Sequence, residues 1–266
     1  MKKLLCFLLV FCWSYWTSFA QTHLVSSNIS TTTITDSKTQ QSRKIWIYTP
    51  VNYTQNNKRY PVLYLHDAQN LFDAQTSFAG EWNIDEKLDS LQAQIIVVGI
   101  EHSNEKRLEE LTPYKNDQYG GGQAEGYLDF IIHTLKPEID KNYRTKPEPK
   151  NTGILGSSLG GLVSLYAVMK HPDVFGKAGV FSPSLWFSEL IYTDFKALPE
   201  FKAKVYLLCG DKESETMVPD IKRLEYAINE KRCYCKNLNK LKIVPGGQHN
   251  EKLWRDGFVK AYLWLF

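Results

Sequence analysis

The chain has 266 residues, a formal net charge of +3 and 43% hydrophobic residues. That length suits one large domain with a substantial buried core. The near-neutral balance, without any basic cluster, excludes nucleic acid or an anionic membrane surface as the expected partner.

The first twenty residues read as an address. Lys2 and Lys3 precede an apolar run from Leu4 to Cys12, and Ser18-Phe19-Ala20 places small residues two apart before Gln21. This is the pattern of a secretory signal peptide cut after Ala20. The run falls short of the roughly 20 residues that a bilayer span requires. Cys12 lacks the small preceding residue of a lipoprotein site, since Leu9-Val10-Phe11 stands before it. The expected organisation is a signal peptide over 1–20 and one domain over 21–266, with a net charge of +1 once Lys2 and Lys3 are lost. The mature protein is expected to be secreted or periplasmic, without membrane association. Of the cysteines it would keep, Cys209 lies in an apolar run and reads as a buried, inert thiol, whereas Cys233-Tyr234-Cys235 has no second ligand pair for zinc.

Ile29 to Thr35 alternates and is Thr-rich, which predicts an edge strand, and Lys44 to Thr49 predicts a second strand stopped by Pro50. Pro61 to Leu65 predicts a buried strand ending at His66-Asp67-Ala68-Gln69-Asn70. Asn83 with Glu86 predicts a capping box opening a helix, with Ile84, Leu88 and Leu91 on one face. Ile95 to Ile100 reads as a strand buried on both faces, and Gly120-Gly121-Gly122 leads into a helix carrying Leu128, Ile131, Ile132, Leu135 and Ile139. Thr152 to Leu155 is a strand, and Leu159 to Met169 a helix ended by His171-Pro172. Strands over Ala178–Phe181, Lys204–Cys209 and Leu241–Val244, with helices around Ile221–Ile228 and Leu253–Leu265, complete the pattern. Strands alternating with helices give an α/β fold with a mostly parallel sheet covered on both faces, whose active site forms beyond the carboxyl ends of the strands.

Three of those strand ends carry reactive residues in the order Ser, acid, His. Gly156-Ser157-Ser158-Leu159-Gly160 lies between a strand and a helix, the context a nucleophile elbow requires. The turn strains the backbone of Ser158, the flanking glycines relieve the packing of strand on helix, and Ser157 reads as a packing residue. Asp211, Glu213 and Glu215 follow the strand ending at Gly210, and Glu213 is favoured as the acid, then Asp211, then Glu215. His249 follows the last strand behind Gly246-Gly247. An oxyanion hole needs two N–H donors, expected from the backbone of Leu159 and of Ala68 or Gln69. His66 and Asp67 could be read as a metal pair, but no matching cluster supports it and a turn-shaping role fits better. No cofactor and no metal are expected.

The motifs Trp46-Ile47-Tyr48-Thr49-Pro50, His66-Asp67-Ala68-Gln69-Asn70-Leu71-Phe72, Arg107 to Pro113, Gly156 to Gly161, Ser182-Pro183-Ser184-Leu185-Trp186 and His249 to Trp254 resemble those of the "putative esterase" family. That resemblance implies an α/β-hydrolase fold and ester chemistry, with relatives among feruloyl, acetylxylan and siderophore esterases, S-formylglutathione hydrolase and mycolyltransferases. It implies Ser158 as nucleophile, His249 as base and Glu213 as acid, where many relatives have Asp. Many relatives also carry Gly where this chain has Ala68. Arg107, Trp82 and Trp186 resemble pocket-wall residues of the family, with core packing as the alternative for the two tryptophans.

The expected reaction is acyl transfer in two steps, with attack by Ser158 and hydrolysis of the acyl-enzyme by water. Because His249 must be neutral to act, activity is expected to fall on acidification. The expected partner is a small-molecule or carbohydrate ester, and export argues against formylglutathione. Acyl transfer to another alcohol and a non-catalytic binding protein of the same fold are the competing readings. The oligomeric state is not legible.

Overall fold

The computed structural model describes residues 25–232 and 238–266. The expected signal peptide over 1–20, Cys233 and Cys235 lie outside the described residues.

Strands β1 (Ile29–Thr35), β2 (Ser42–Tyr48), β3 (Val62–His66) and β4 (Ile96–Ile100) form the first half of the sheet. Helix α1 (Ile84–Ser90) lies between β3 and β4, and the short α2 (Arg107–Glu110) follows β4. A small hairpin of β5 (Lys115–Asn116) and β6 (Gly120–Gly121) leads into α3 (Ala124–Phe130). A π-helical stretch, Ile131–Leu135, joins α3 to α4 (Lys136–Asn142). The second half alternates: β7 (Thr152–Ser157), α5 (Leu159–Lys170), β8 (Lys177–Phe181), α6 (Leu190–Ala197), β9 (Lys204–Gly210), α7 (Met217–Glu230), β10 (Asn239–Val244) and α8 (Glu251–Leu265).

The eight-stranded sheet runs β1-β2-β4-β3-β7-β8-β9-β10. From β4 to β10 every pairing is parallel, while β2 pairs antiparallel with both β4 and β1. The mostly parallel α/β sheet is therefore as expected, with β1 at its edge. The pleat sends successive side chains to opposite faces. Ile45, Ile47, Val62 and Tyr64 enter a core shared with α3 to α7. Trp46, Tyr48, Leu63 and Leu65 enter a second core closed by α1 and α8.

Two local expectations fail. Helix α1 begins at Ile84, but not through a capping box: Asn83 is left-handed (φ 53°), caps nothing with its side chain and donates instead to Glu81. Leu91 terminates the helix and is exposed rather than sharing the face of Ile84 and Leu88. The helix owes its place to burial of Ile84 and Leu88, which outweighs the missing cap. Among the described residues no helix is long and apolar enough to cross a membrane.

Candidate active site

The parallel strands all end on one side, and the turns leaving β3, β7, β8, β9 and β10 build the site. At the end of β7 the chain reverses into α5 through Ser158, whose φ is +58° and ψ −120°. A side chain rarely holds that backbone unless its surroundings enforce it. They do so here: Ser158 N–H donates to the Phe181 carbonyl at 2.9 Å, and Leu162 N–H donates to the Ser158 carbonyl at 3.1 Å. Space for the reversal comes from Gly156 and Gly161. A methyl group at Gly156 would come within 2.8 Å of both the Gly160 backbone and the His66 ring, and one at Gly161 within 2.6 Å of the Phe181 carbonyl oxygen. At Gly160 the nearest contact would be an ordinary 3.4 Å, so Gly161, not Gly160, gives the tight approach on the helical side.

The turns after β9 and β10 interlock. Lys212 N–H donates to the Gly247 carbonyl at 2.9 Å, Asp211 N–H to the Val244 carbonyl at 3.1 Å, and Gly246 N–H to the Asp211 carboxylate at 2.7 Å. Asp211 is thus engaged with backbone, Glu215 is exposed, and Glu213 alone of the three acids touches His249. Glu213 Oε2 lies 2.7 Å from His249 Nδ1, and His249 Nε2 lies 3.0 Å from Ser158 Oγ. The Glu213 side chain is 1% exposed and that of His249 37%, so the pair has a dry end and a wet end.

Donor and acceptor chemistry orders the protons in this chain. An ionised carboxylate only accepts, so Nδ1 of His249 carries the proton and Nε2 is left to accept from Ser158 Oγ–H. Ser158 then has no second proton to give. Ser184 Oγ, 3.2 Å away, must therefore be the donor of that pair. Ser184 is buried, and its N–H also holds the Ser158 carbonyl at 3.1 Å. On the far side, Glu213 Oε1 accepts from Gly210 N–H at 2.5 Å and from Ser182 Oγ at 2.7 Å, and Ser182 Oγ accepts from Trp254 Nε1 at 2.8 Å. Ser182, Ser184 and Trp254 are members of recognised motifs, but nothing in their residue types marks these contacts.

The turn after β3 packs against the elbow. Asp67 is left-handed (φ 57°) and opens a short 3-10 turn, Ala68–Asn70. Arg107 grips its carboxylate with Nε at 2.7 Å and Nη2 at 2.8 Å. Burial opposes the Asp67 charge, but Arg107 outweighs it and holds the carboxyl below its ordinary range. Arg107 therefore braces this turn. Gln69 clamps His102, accepting from its N–H and donating to its carbonyl. His66 Nδ1 lies 2.7 Å from the Tyr127 hydroxyl, and burial pushes its imidazole down to about 4, so it is neutral at ordinary pH. His66 and Asp67 are thus spent on Tyr127 and Arg107.

The two tryptophans divide. Trp82 is 4% exposed and stacks on Phe181, with ring centroids 6.1 Å apart at 13°, which makes it core and not pocket wall. Trp186 is 57% exposed and meets Tyr119 edge to face at 5.7 Å, two residues beyond Ser184. Away from these residues, Glu81, Asp85 and Glu86 hold ligand atoms within 4.8 Å of one another. Burial, with a hydrogen bond to Glu86, raises Asp85 to about 6. Cys209 is a free, buried thiol, pushed up to about 12 by burial.

The sequence pattern of the family described as "Putative esterase" matches residues 37–265. The chain belongs to this family. The esterase is 29% identical over 239 residues to the uncharacterized protein YbbA of Bacillus subtilis, covering 85% of this chain and 93% of that one. It is 27% identical to an endo-1,4-beta-xylanase/feruloyl esterase of Xylanibacter ruminicola over 70% of this chain and 25% of the relative. Identity to the ferri-bacillibactin esterase BesA of Bacillus subtilis is 33% over 47% of this chain and 48% of that protein. Among solved structures, the BES protein of Bacillus cereus superposes with a TM-score of 0.71 at 21% identity, covering 91% of the esterase and 97% of that chain. The enterobactin esterase of Shigella flexneri superposes at 0.73 and 18% identity, covering 93% and 61%. These likenesses give the α/β-hydrolase fold, and the family gives the activity of a carboxylic-ester hydrolase.

Proposed function

We propose that the esterase is exported and works through an acyl-enzyme on Ser158, with His249 as general base and Glu213 as the acid that orients it. The observation carrying this reading is the unbroken contact from Ser158 Oγ through the His249 ring to Glu213, at 3.0 and 2.7 Å. In it, His249 Nε2 takes the Ser158 proton as Oγ attacks the ester carbonyl carbon. Nδ1–H donates to Glu213, which steadies the imidazolium without taking its proton. The imidazolium gives its proton to the departing alcohol, and a water, activated the same way, cleaves the acyl-enzyme.

The oxyanion is received by the N–H of Leu159, in the first turn of α5 where amides have no intrahelical acceptor, and by that of Ala68 or Gln69 across from it. The close packing of the His66-Asp67 turn against Gly156 and Gly160 supports that pairing. Arg107 is assigned to bracing this turn instead of touching substrate. The substrate is a small-molecule or carbohydrate ester whose aromatic or sugar group rests on exposed Trp186 and Tyr119. A relative named as a feruloyl esterase, whose ester carries an aromatic acyl group, favours an aromatic acyl group here. Export rests on the leader pattern of residues 1–20.

The test is Ser158→Ala assayed on p-nitrophenyl acetate, together with labelling by a fluorophosphonate. Loss of at least about a thousandfold in turnover and loss of labelling are expected. Unchanged turnover removes Ser158 from the mechanism.

A further inference from the structure

Glu213 must present one oxygen to His249 in a fixed direction, yet a glutamate side chain has three rotatable bonds. The contacts that stop its rotation come from outside the three residues assigned to the chemistry. Oε1 takes two donors, Gly210 N–H at 2.5 Å and Ser182 Oγ at 2.7 Å, and only Oε2 remains for the imidazole.

Ser182 could in principle rotate its proton elsewhere. Trp254 prevents this. An indole N–H can only donate, so at 2.8 Å it occupies an acceptor position on Ser182 Oγ and leaves the single hydroxyl proton to the carboxylate. Ser182 itself is fully buried at the end of β8 with φ +42°, and its N–H is tied to the Leu208 carbonyl at 2.6 Å. A serine held in so unfavourable a backbone, without solvent access, is fixed by its surroundings in a single position. The Trp254 ring also stands perpendicular to the His249 ring, centroids 5.0 Å apart at 89°. One side chain of α8 therefore reaches the acid through its N–H and the imidazole through its ring.

We propose that Ser182 and Trp254 are positioning residues, which together fix the rotation of the Glu213 carboxylate and, through it, the tautomer and tilt of His249. Their hydrogen bonds go to Glu213 and to each other, and Trp254 meets His249 only through its ring. Their effect falls on the chemical step and leaves substrate binding alone. The proposal rests on the roles given above to Ser158, His249 and Glu213, and the experiment separates the two.

The measurement is a double-mutant cycle on p-nitrophenyl acetate. Ser182→Ala lowers kcat about tenfold or more, because hydrogen bonds to charged groups are the stronger class, and leaves KM within twofold. In the Glu213→Ala background the same change costs less than twofold, because the group that Ser182 acts through is gone. Trp254→Phe keeps a ring beside His249 and lowers kcat in the same sense, with no further loss in the Ser182→Ala background. A Ser182→Ala enzyme with kcat within twofold of the parent overturns the proposal. So does a cycle in which the Ser182 and Glu213 factors multiply, the result of a purely structural role. Should Ser182→Ala not fold, Trp254→Phe in the parent and Glu213→Ala backgrounds decides by the same two criteria. Parental turnover in Ser158→Ala or Glu213→Ala alone is a different result, and sinks the triad assignment itself.

Discussion

Arg107 holds Asp67 through two near-parallel hydrogen bonds of 2.7 and 2.8 Å, joining the turn after β3 to the segment that follows β4, 40 residues along the chain. The contact shapes a turn proposed to supply an oxyanion donor, so it couples stability to turnover. Arg107→Ala leaves a buried carboxylate without its partner and is expected to destabilise by about 2 kcal/mol, reduced from the cost of a fully buried pair because Arg107 is partly exposed. Arg107→Lys recovers the charge but not the fork, and is expected to regain only part of kcat. Urea unfolding and steady-state kinetics of both variants test this. A lysine enzyme with full kcat would show that charge alone suffices.

Ser158 sits at φ +58°, where a residue with a β-carbon is strained and glycine is not. Ser158→Gly is expected to abolish esterase activity while raising stability by about 1 kcal/mol, the strain relieved less the entropy of the added glycine. Thermal denaturation of the variant against Ser158→Ala isolates the backbone contribution. Equal melting temperatures would mean that the elbow stores no strain.

Two buried groups pull stability in opposite directions with pH. His66 is pushed by burial down to about 4 from its ordinary 6.5, so the unfolded chain binds its proton more readily. Its contribution is complete above pH 6.5 and is lost as pH falls toward 4, roughly 3 kcal/mol in all. Asp85 is raised by burial and by Glu86 to about 6, so its contribution is complete below about 4 and is lost as pH rises through 6. Unfolding free energies at pH 4.5, 6 and 7.5 are expected to show a flatter acid slope in His66→Asn. Asp85→Asn is expected to be more stable than the parent at pH 7.5, with the gain shrinking at pH 4.5. Parallel pH curves for either variant and the parent would remove that residue from the account.

The loops bearing Glu213 and His249 are locked by a backbone contact at Gly210 and Gly247. A methyl group at Gly210 would lie 2.2 Å from the Gly247 carbonyl oxygen, so Gly210→Ala must spread the two turns. A cost of about 3 kcal/mol is expected, with a kcat loss larger than any change in KM. Denaturation and kinetics at 15 °C check both, and an enzyme with parental kcat would show that the loops are aligned by other means.

Much of this was legible in the sequence because it rests on periodicity and punctuation. The short apolar run Ile96 to Ile100 reads as a strand buried on both faces and is one. Gly156 to Gly160 gains its meaning from lying between a strand and a helix, where the structure places it. Choosing among Asp211, Glu213 and Glu215 required the loop's path, because Asp211 turns back to Gly246 N–H and so leaves Glu213 facing His249. Residue type also could not separate Trp82 from Trp186, since both are apolar and only packing against Phe181 draws one inside. Ser182, Ser184 and Trp254 escaped a functional reading because a serine's use depends on where its one proton points. The failed capping box at Asn83 belongs to the same class: the residue types were right, and a left-handed backbone spent them elsewhere.

The two ends of the Trp254-Ser182-Glu213 array cannot reverse their roles. An indole N–H never accepts, and a carboxylate never donates. Between them each hydrogen has one place to be, unlike water, which would offer many orientations around the same charge. When positive charge arrives on the imidazole, the Glu213 carboxylate facing it is already held in place by its donors, and no rearrangement of hydroxyls has to precede bond making.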